Sequence, residues 1–393
     1  MKALKSIELF AGAGGLAIGL GQAGFKPVKV VEFNKHCIAT LELNKKRANG
    51  PLHDWSFEIG RDVREQDYTE FEGQVDLVSG GPPCQPFSMG GRHNAQADQR
   101  DMFPEAVRAV REARPKAFLF ENVRGLKRAS FASYFEYIRL QLTHPHLTAR
   151  ENEDWSDHLG RLQNHHTGSR ETDEDYRVVT QVMNASDYGV PQQRHRVFFV
   201  GVRSDLGQSY SFPKPTHSRA ALVSDIVSGA YEARTGIEKS KMSLPPQMRR
   251  AVAMNKNNDQ SNDEFNLLPW KTVREALSDM PSPKKSGVEG WLNHLRRDGA
   301  KSYPGHTGSD LDYPSKALKA GVHGVPGGEN MMRHANGKVR YFTVRESARL
   351  QTFPDDFEVT GSWSEAMRQL GNAVPVDLAH VVSKELRCTL SPS

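Results

Sequence analysis

Ile7-Glu8-Leu9-Phe10-Ala11-Gly12-Ala13-Gly14-Gly15 is the stretch that decides the fold. A short apolar run, Ser6–Phe10, reads as a buried strand and ends in a glycine-rich turn. From Gly14 to Ala23 the apolar spacing is then close to 3.6. Glycines at a strand-to-helix turn let backbone approach a ligand that a side chain would block. The spacing departs from the dinucleotide fingerprint, so the loop by itself indicates a nucleoside-type ligand and no more. The same rhythm continues downstream. Strands are predicted at Val28–Glu32, Val75–Ser79, Ala117–Glu121, Val178–Val182 and Arg196–Val202, and helices at Lys35–Asn44, Phe103–Glu112 and Ser130–Leu142. Strands alternating with helices predict an α/β fold with a doubly wound, mostly parallel sheet. Ligands of such sheets sit beyond the carboxyl ends of the strands.

The 393 residues leave room for two or three domains. With 37% hydrophobic and 25% charged residues the chain is globular rather than disordered. No apolar run approaches the length of a membrane helix, and no secretory leader is evident. Cys37, Cys84 and Cys388 make neither a disulfide framework nor a cysteine-rich zinc site, which predicts a reducing, cytoplasmic setting. The net charge is +5, yet residues 205–340 hold 20 basic and 14 acidic side chains, so this segment carries the whole excess. It is also dense in Gly, Pro, Asn, Lys and Arg with few clean strands, which predicts a second, loop-rich module. Helical patterns return at Phe342–Thr352 and Val376–Arg387 and are expected to pack back onto the first domain. Residues 143–176 interrupt the rhythm with a polar stretch holding His144, His146, His158, His165 and His166. Without cysteine or tight ligand spacing, this reads first as an exposed insertion, with a metal site as the alternative.

Several polar residues fall at strand ends. Glu32 closes the second strand, 20 residues past Gly12, where a carboxylate can accept hydrogen bonds from a ribose diol. Asp62, after Phe57–Arg61, is placed to do the same for an adenine amino group, although either acid alone reads equally as a surface carboxylate. The sharpest signal is Gly80-Gly81-Pro82-Pro83-Cys84-Gln85-Pro86-Phe87-Ser88. A cysteine on a proline-flanked loop at the carboxyl edge of a sheet is placed for nucleophilic attack, whereas a cysteine that only packs needs no such flanks. Glu121-Asn122-Val123 ends the next strand beside it. Gln192-Gln193-Arg194-His195-Arg196 opens another, with two arginines alternating onto one face.

Together these elements resemble the DNA cytosine-5 methyltransferases. The likeness covers residues 6–203 and 340–380 in the family's order, ending in Gly371-Asn372-Ala373-Val374-Pro375. It implies a Rossmann-like methyltransferase sheet over 1–203 and 341–393, with a smaller target-recognition domain at 204–340. It also implies S-adenosyl-L-methionine as methyl donor and a cytosine in double-stranded DNA as acceptor. Cys84 would add to ring carbon 6, a protonated Glu121 would stabilise charge at ring nitrogen 3, and Arg196 would contact the cytosine carbonyl. Arg194 would position Cys84 or the backbone, with structural pairing as its alternative. Phe10 would lie against adenine, with Ala11, Gly12, Gly14 and Gly15 around the methionine part. Glu32 would hold the ribose, Asp62 the adenine amino group, and Asn372-Ala373 the amino-acid end.

The stretch Met89–Arg100, with Gly90-Gly91 as hinges, would close over a flipped base. In the recognition segment the family's Thr-Leu pair reads Ala317-Leu318, followed by a glycine-rich run to Gly328. Arg296, Arg297, Lys301 and His306 are candidates for DNA contact. The resemblance implies a compact prokaryotic monomer, the modification half of a restriction–modification system in which a cognate restriction endonuclease would be the partner. One rival is a tRNA cytosine-5 methyltransferase, which shares the catalytic set. Such relatives typically carry a Cys-Phe-Thr element in the recognition segment, and residues 204–387 contain no cysteine. The other rival, a non-catalytic DNA-binding relative, would be expected to lack the cysteine loop or the glycine loop, and both are present.

Overall fold

The computed structural model describes residues 3–48, 50–53, 55, 58–60, 62–83, 101–168, 171–254, 266–320 and 330–391. Cys84, the rest of its loop through Arg100 and the glycine-rich run after Ala320 lie outside the described residues.

In chain order the first half reads β1 Leu4–Leu9, α1 Gly15–Gln22, β2 Phe25–Val31, α2 Lys35–Lys46, β3 Glu58–Gly60, β4 Leu77–Gly80, α3 Phe103–Ala113 and β5 Ala117–Val123. It continues with α4 Ala132–Thr143, α5 Trp155–Gly168, β6 Tyr176–Asn184, β7 Gln192–Gln193 and β8 His195–Arg203. Seven strands form one sheet in the order β3-β2-β1-β4-β5-β8-β6. All neighbours are parallel except β8, which runs antiparallel to both β5 and β6. Every strand expected from the sequence is present, with ends shifted by no more than three residues. The chain steps outward from β1 to β2 and β3, then returns to lay β4 on the other side of β1. That reversal opens a crevice above the carboxyl ends of β1 and β4, the ligand site of doubly wound sheets.

A parallel sheet must be covered on both faces, which is why its strands read as near-continuous apolar runs. Phe118 and Phe120 face one side, against Val107 and Val110 of α3 and Ile138 and Leu142 of α4. Ala117 and Leu119 face the other, with Leu16 and Leu20 of α1. The helices after residue 203 are α6 Arg219–Ser228, α7 Ala230–Thr235, α8 Pro246–Met254, α9 Val273–Ala276, α10 Val344–Leu350, α11 Trp363–Asn372 and α12 Val376–Leu390. Leu378, Val382 and Leu386 of α12 join the α1 face. A Cβ on Gly19 would lie 2.5 Å from the Ala379 Cβ and 2.6 Å from the Val376 oxygen. A bare glycine therefore sets the close approach of α1 and α12, and the C-terminal helix does return to the sheet.

A further core of Leu222, Ile226, Tyr231, Met248, Trp270 and Tyr313 lies within the loop-rich segment. Other residues of that segment, Val273, Leu318 and Met332, pack instead with Ala13, Leu41 and Phe342. Residues 143–176 differ from the exposed insertion expected. They contain α5, whose Leu159 and Leu162 are buried in the sheet core with Trp155 packed against it. The i, i+4, i+7 spacing of those three residues is the helical signal that the polar composition masked.

Candidate active site

One cleft of about 510 Å³ lies above the carboxyl edge of β1, β2, β4 and β5. Phe10, Ala11, Gly12, Gly15, Glu32, Glu121, Arg196, Asn372 and Ala373, nine of the residues singled out from the sequence, line it. Its volume lies in the range of small-molecule and cofactor pockets.

The first wall is built by the turn after β1. Phe10 adopts φ 53°, a left-handed conformation that costs energy for a bulky residue and that turns the chain abruptly out of the strand. Gly12 and Gly14 follow at φ 56° and 87°. The Glu32 carboxylate fixes this turn: its oxygens accept from the Gly12 N–H at 2.6 Å and the Asn34 N–H at 2.7 Å. Asn34 in turn caps α2 by accepting from the N–H groups of His36 and Cys37. Gly15 is held from behind, because a Cβ there would meet the Val374 oxygen at 2.3 Å. The Gly371–Pro375 motif is thereby seated directly on the glycine loop. Gly14 supports the turn by donating its N–H to the Ala11 carbonyl at 2.8 Å but does not line the cleft.

The opposite wall carries the acid–arginine pair. Strands β5 and β8 pair antiparallel with Glu121 opposite Phe198 and Val123 opposite Arg196, so Glu121 and Arg196 are diagonal neighbours on one face. Arg196 Nε lies 2.5 Å from Glu121 Oε1, and both groups are largely buried. Burial pushes the Glu121 carboxyl upward, against the pull of Arg196 and Arg194. Asn122 holds the stub of the cysteine loop, donating its amide to the Pro82 carbonyl at 2.9 Å, while Pro83 accepts from the Met102 N–H at 3.1 Å. Pro82 and Pro83 line the cleft next to Glu121, and Cys84 follows them in sequence.

The residues of the Gln-x-Arg-x-Arg pattern divide their work. Gln192 accepts from the Leu318 N–H and donates to the Leu350 carbonyl. Arg194, 1% exposed, donates to the carbonyls of Leu318 at 3.0 Å and Gly371 at 2.5 Å. It is a structural tie that binds the loop-rich segment and the Gly371 motif to the sheet, and it is absent from the cleft lining. Gly371 must be bare, because its Cβ would lie 2.4 Å from the Ala320 nitrogen. Arg196 alone of the three faces the cleft.

Asp62 stands apart. Its oxygens accept from Arg64 Nε at 3.0 Å and Nη2 at 2.7 Å, and it does not line the cleft. Arg64 holds this carboxyl below the usual carboxylate range. The cleft also contains residues not anticipated: Phe33, 77% exposed beside Glu32, and Cys37, Arg368 and Gln369. Gln369 and Arg368 immediately precede the Gly371 motif, which was the available signal. Burial pushes the Cys37 thiol up to about 12, so it stays protonated and is no nucleophile at neutral pH. Among the recognition candidates, Arg297 stacks on the Trp363 ring at 4.6 Å and Arg296 pairs with Asp298 at 3.0 Å.

The sequence matches the C-5 cytosine-specific DNA methylase family over residues 4–144 and 162–388. The chain belongs to that family. This methylase is 34% identical to the type II methyltransferase M.PspPI of Psychrobacter, over 97% of this chain and 78% of the relative. It is 29% identical to M.NgoMIV of Neisseria gonorrhoeae, over 97% and 96%. Among solved structures, the Dnmt2 methyltransferase of S. pombe shares the fold with a TM-score of 0.56 at 17% identity, covering 99% of both chains. The Entamoeba histolytica methyltransferase EhMeth does so at 0.54 and 15% identity, covering 100% of both. The methylase is thus an enzyme of DNA methylation at carbon 5 of cytosine, on an α/β methyltransferase sheet. No described helix is long and apolar enough to cross a membrane.

Proposed function

We propose that this methylase takes its methyl group from S-adenosyl-L-methionine and places it on a cytosine flipped out of double-stranded DNA, through a covalent bond to Cys84. The observation that carries this reading is the single cleft in which the Phe10–Gly15 turn and Glu32 face Pro82-Pro83, Glu121 and Arg196. When bound, the cofactor supplies an electrophilic sulfonium methyl group. The residues present fit it: an aromatic ring at Phe10, a carboxylate at Glu32 for a ribose diol, exposed turn backbone, and the Asn372-Ala373 motif for its amino-acid end. Asp62 would reach the adenine amino group only by sharing its oxygens with Arg64.

Carbon 5 of cytosine is a weak nucleophile. Addition of the Cys84 thiolate to carbon 6 turns the ring into an enamine that attacks the methyl carbon. The addition drives charge onto ring nitrogen 3, where Glu121 donates its proton, and Arg196 holds the cytosine carbonyl. Loss of the carbon 5 proton to solvent, expulsion of the Cys84 thiolate and return of the nitrogen 3 proton to the Glu121 carboxylate then restore the neutral aromatic ring. Arg194 acts as a positioning residue that keeps the Gly371 motif against the glycine loop. A base must leave the duplex to reach this cleft, as the handling of bases by DNA methyltransferases generally requires.

Residues 204–340 would form the target-recognition domain, its basic excess drawn to phosphate and its own apolar core carrying variable loops. The enzyme would work as a cytoplasmic monomer, the modification partner of a restriction endonuclease. The test is duplex DNA carrying 5-fluorocytosine, in which fluorine blocks the final elimination. Wild type should form a denaturant-resistant adduct and Cys84→Ala none, while tritiated cofactor should label plasmid DNA and leave total tRNA unlabelled. An adduct in the alanine variant, or preferential labelling of tRNA, would overturn the assignment.

A further inference from the structure

Five residues that the methyl-transfer chemistry does not use converge at the opposite edge of the sheet. His144 ends α4 and His146 follows it, His165 and His166 lie in the last turn of α5, and Asp175 immediately precedes β6. Strand β6 is the outermost strand and runs parallel to β5, so its start lies at the amino edge, away from the cleft. The cluster flanks residues 145–161, where the match to the family is interrupted.

The geometry is that of a ligand set. His144, His165 and Asp175 each offer one ligand atom, and these atoms all lie within 4.8 Å of one another. His144 Nδ1 is 2.6 Å from Asp175 Oδ1, and its Nε2 is 2.9 Å from His166 Nδ1. His146 Nδ1 points at the same Asp175 oxygen from 3.7 Å, is buried, and has no hydrogen-bond partner among the described residues. The second Asp175 oxygen is occupied by the Thr172 N–H at 2.8 Å. One Asp175 oxygen therefore faces both His144 and His146, while His144 also contacts His166. His158, by contrast, is satisfied at both nitrogens by Tyr137 and the Leu147 carbonyl, each at 2.9 Å, and belongs to the packing.

We propose that His144, His165 and Asp175, with His146 as fourth donor, bind a zinc-class divalent ion that fastens the insertion to the sheet. Imidazole nitrogens with one carboxylate select zinc and its neighbours rather than magnesium or calcium, which prefer all-oxygen sites. Tetrahedral bonds of about 2.0–2.1 Å set donor atoms about 3.4 Å apart, so the His146 Nδ1–Asp175 Oδ1 pair would close slightly from 3.7 Å while the His144 Nδ1–Asp175 Oδ1 hydrogen bond would open from 2.6 Å to admit the ion. The ion would join three elements, α4, α5 and β6, where α5 contributes few buried residues of its own. His144 and His146 are only two positions apart, but His165 and Asp175 follow 19 and 29 positions later, so no compact motif announces the whole set in the sequence.

The test uses the full-length, untagged protein, stripped with chelator and titrated with Co(II), then with Zn(II) in competition. One Co(II) per chain with the intense visible bands of a tetrahedral site is expected, displaced by one Zn(II), and zinc should raise the melting temperature. His165→Ala and His146→Ala, both at partly exposed positions, should each weaken binding by at least about tenfold. Methyl transfer to DNA by both variants should remain at the wild-type level, since the cluster lies outside the cleft. Absence of a tetrahedral Co(II) spectrum in wild type, or unchanged affinity in both variants, would overturn the proposal.

Discussion

Glu121 and Asp312 are both buried carboxylates facing arginines, and their surroundings differ. Asp312, fully buried in the loop-rich segment, is saturated. It accepts from Arg274 Nε at 2.5 Å and Nη2 at 3.0 Å, from the Tyr231 hydroxyl at 2.9 Å and from the Ser243 N–H at 2.6 Å. Glu121, at the cleft, touches Arg196 Nε at 2.5 Å, yet among the described residues neither that oxygen nor that nitrogen has an aligned hydrogen bond. A saturated carboxylate is a structural knot, and an unsatisfied one retains capacity for a substrate. The contrast extends to the halves of the chain around them. In the sheet, strand ladders place the side chains; between residues 204 and 340, strands of two or three residues are held together by side-chain networks such as Asp310 with Arg333 and Ser243. Backbone between such knots is free to differ in sequence, which suits a surface that reads different DNA sites.

The largest expected effect breaks the unsatisfied side. Glu121→Ala should lower kcat by about 10²–10³-fold, the scale of one lost donor to developing charge, about 3–4 kcal/mol. Stopped single-turnover methylation checks it. Burial raises the Glu121 pKa, so the donating, protonated form is populated at low pH and is lost as pH rises through that raised value. The rate should therefore fall on the alkaline side in wild type. Glu121→Gln, which keeps a donor at every pH, should lose that alkaline fall; a profile identical to wild type would remove Glu121 from proton donation.

The saturated side should respond in stability instead. Asp312→Ala leaves Arg274 without its partner and strips acceptors from Tyr231 and Ser243. Because Arg274 is partly exposed, the expected cost is about 3 kcal/mol, at the lower end for a broken buried pair. Urea unfolding measures it, and single-turnover methyl transfer under stabilising conditions should be preserved. A loss of chemistry without loss of stability would make Asp312 the equal of Glu121 and dissolve the comparison.

The sheet was legible because its physics is written locally. Strands covered on both faces read as apolar runs, and their helices as amphipathic repeats, so the expected strands moved only at their ends, while the short edge strand β3 and helix α5 went unread. The cleft was legible for a related reason: strand ends deliver Phe10, Glu32, Glu121 and Arg196 to one edge whatever the loops do. The networks were not legible, since Asp312 with Ser243, or His144 with Asp175, are partners 69 and 31 positions apart. Helix α11 was readable and overlooked: Ser362 caps it, and Ala366, Met367 and Leu370 give it a buried stripe. Arg194 shows the limit of residue type. Its spacing from Arg196 puts both on one face, yet only the fold decides that one meets a carboxylate in the cleft and the other two backbone carbonyls.

The smallest effect separates the two acids assigned to the cofactor. Glu32 lines the cleft and also anchors the turn through Gly12 and Asn34, so Glu32→Ala removes a ligand contact and loosens the wall that makes it. Calorimetry should show S-adenosyl-L-methionine binding weakened by about 1–3 kcal/mol, the scale of a hydrogen bond to a charged group. Asp62 is committed to Arg64 by three hydrogen bonds, one from its backbone N–H and two from its guanidinium, and lies outside the lining. An adenine amino group could gain it only by competing with that guanidinium, so most of the contact's worth is already spent in the free enzyme. Asp62→Ala should therefore weaken binding clearly less than Glu32→Ala. If Asp62→Ala proves equal or worse, Arg64 must release the carboxylate when the cofactor binds, and the cleft would extend past its present lining to the end of β3.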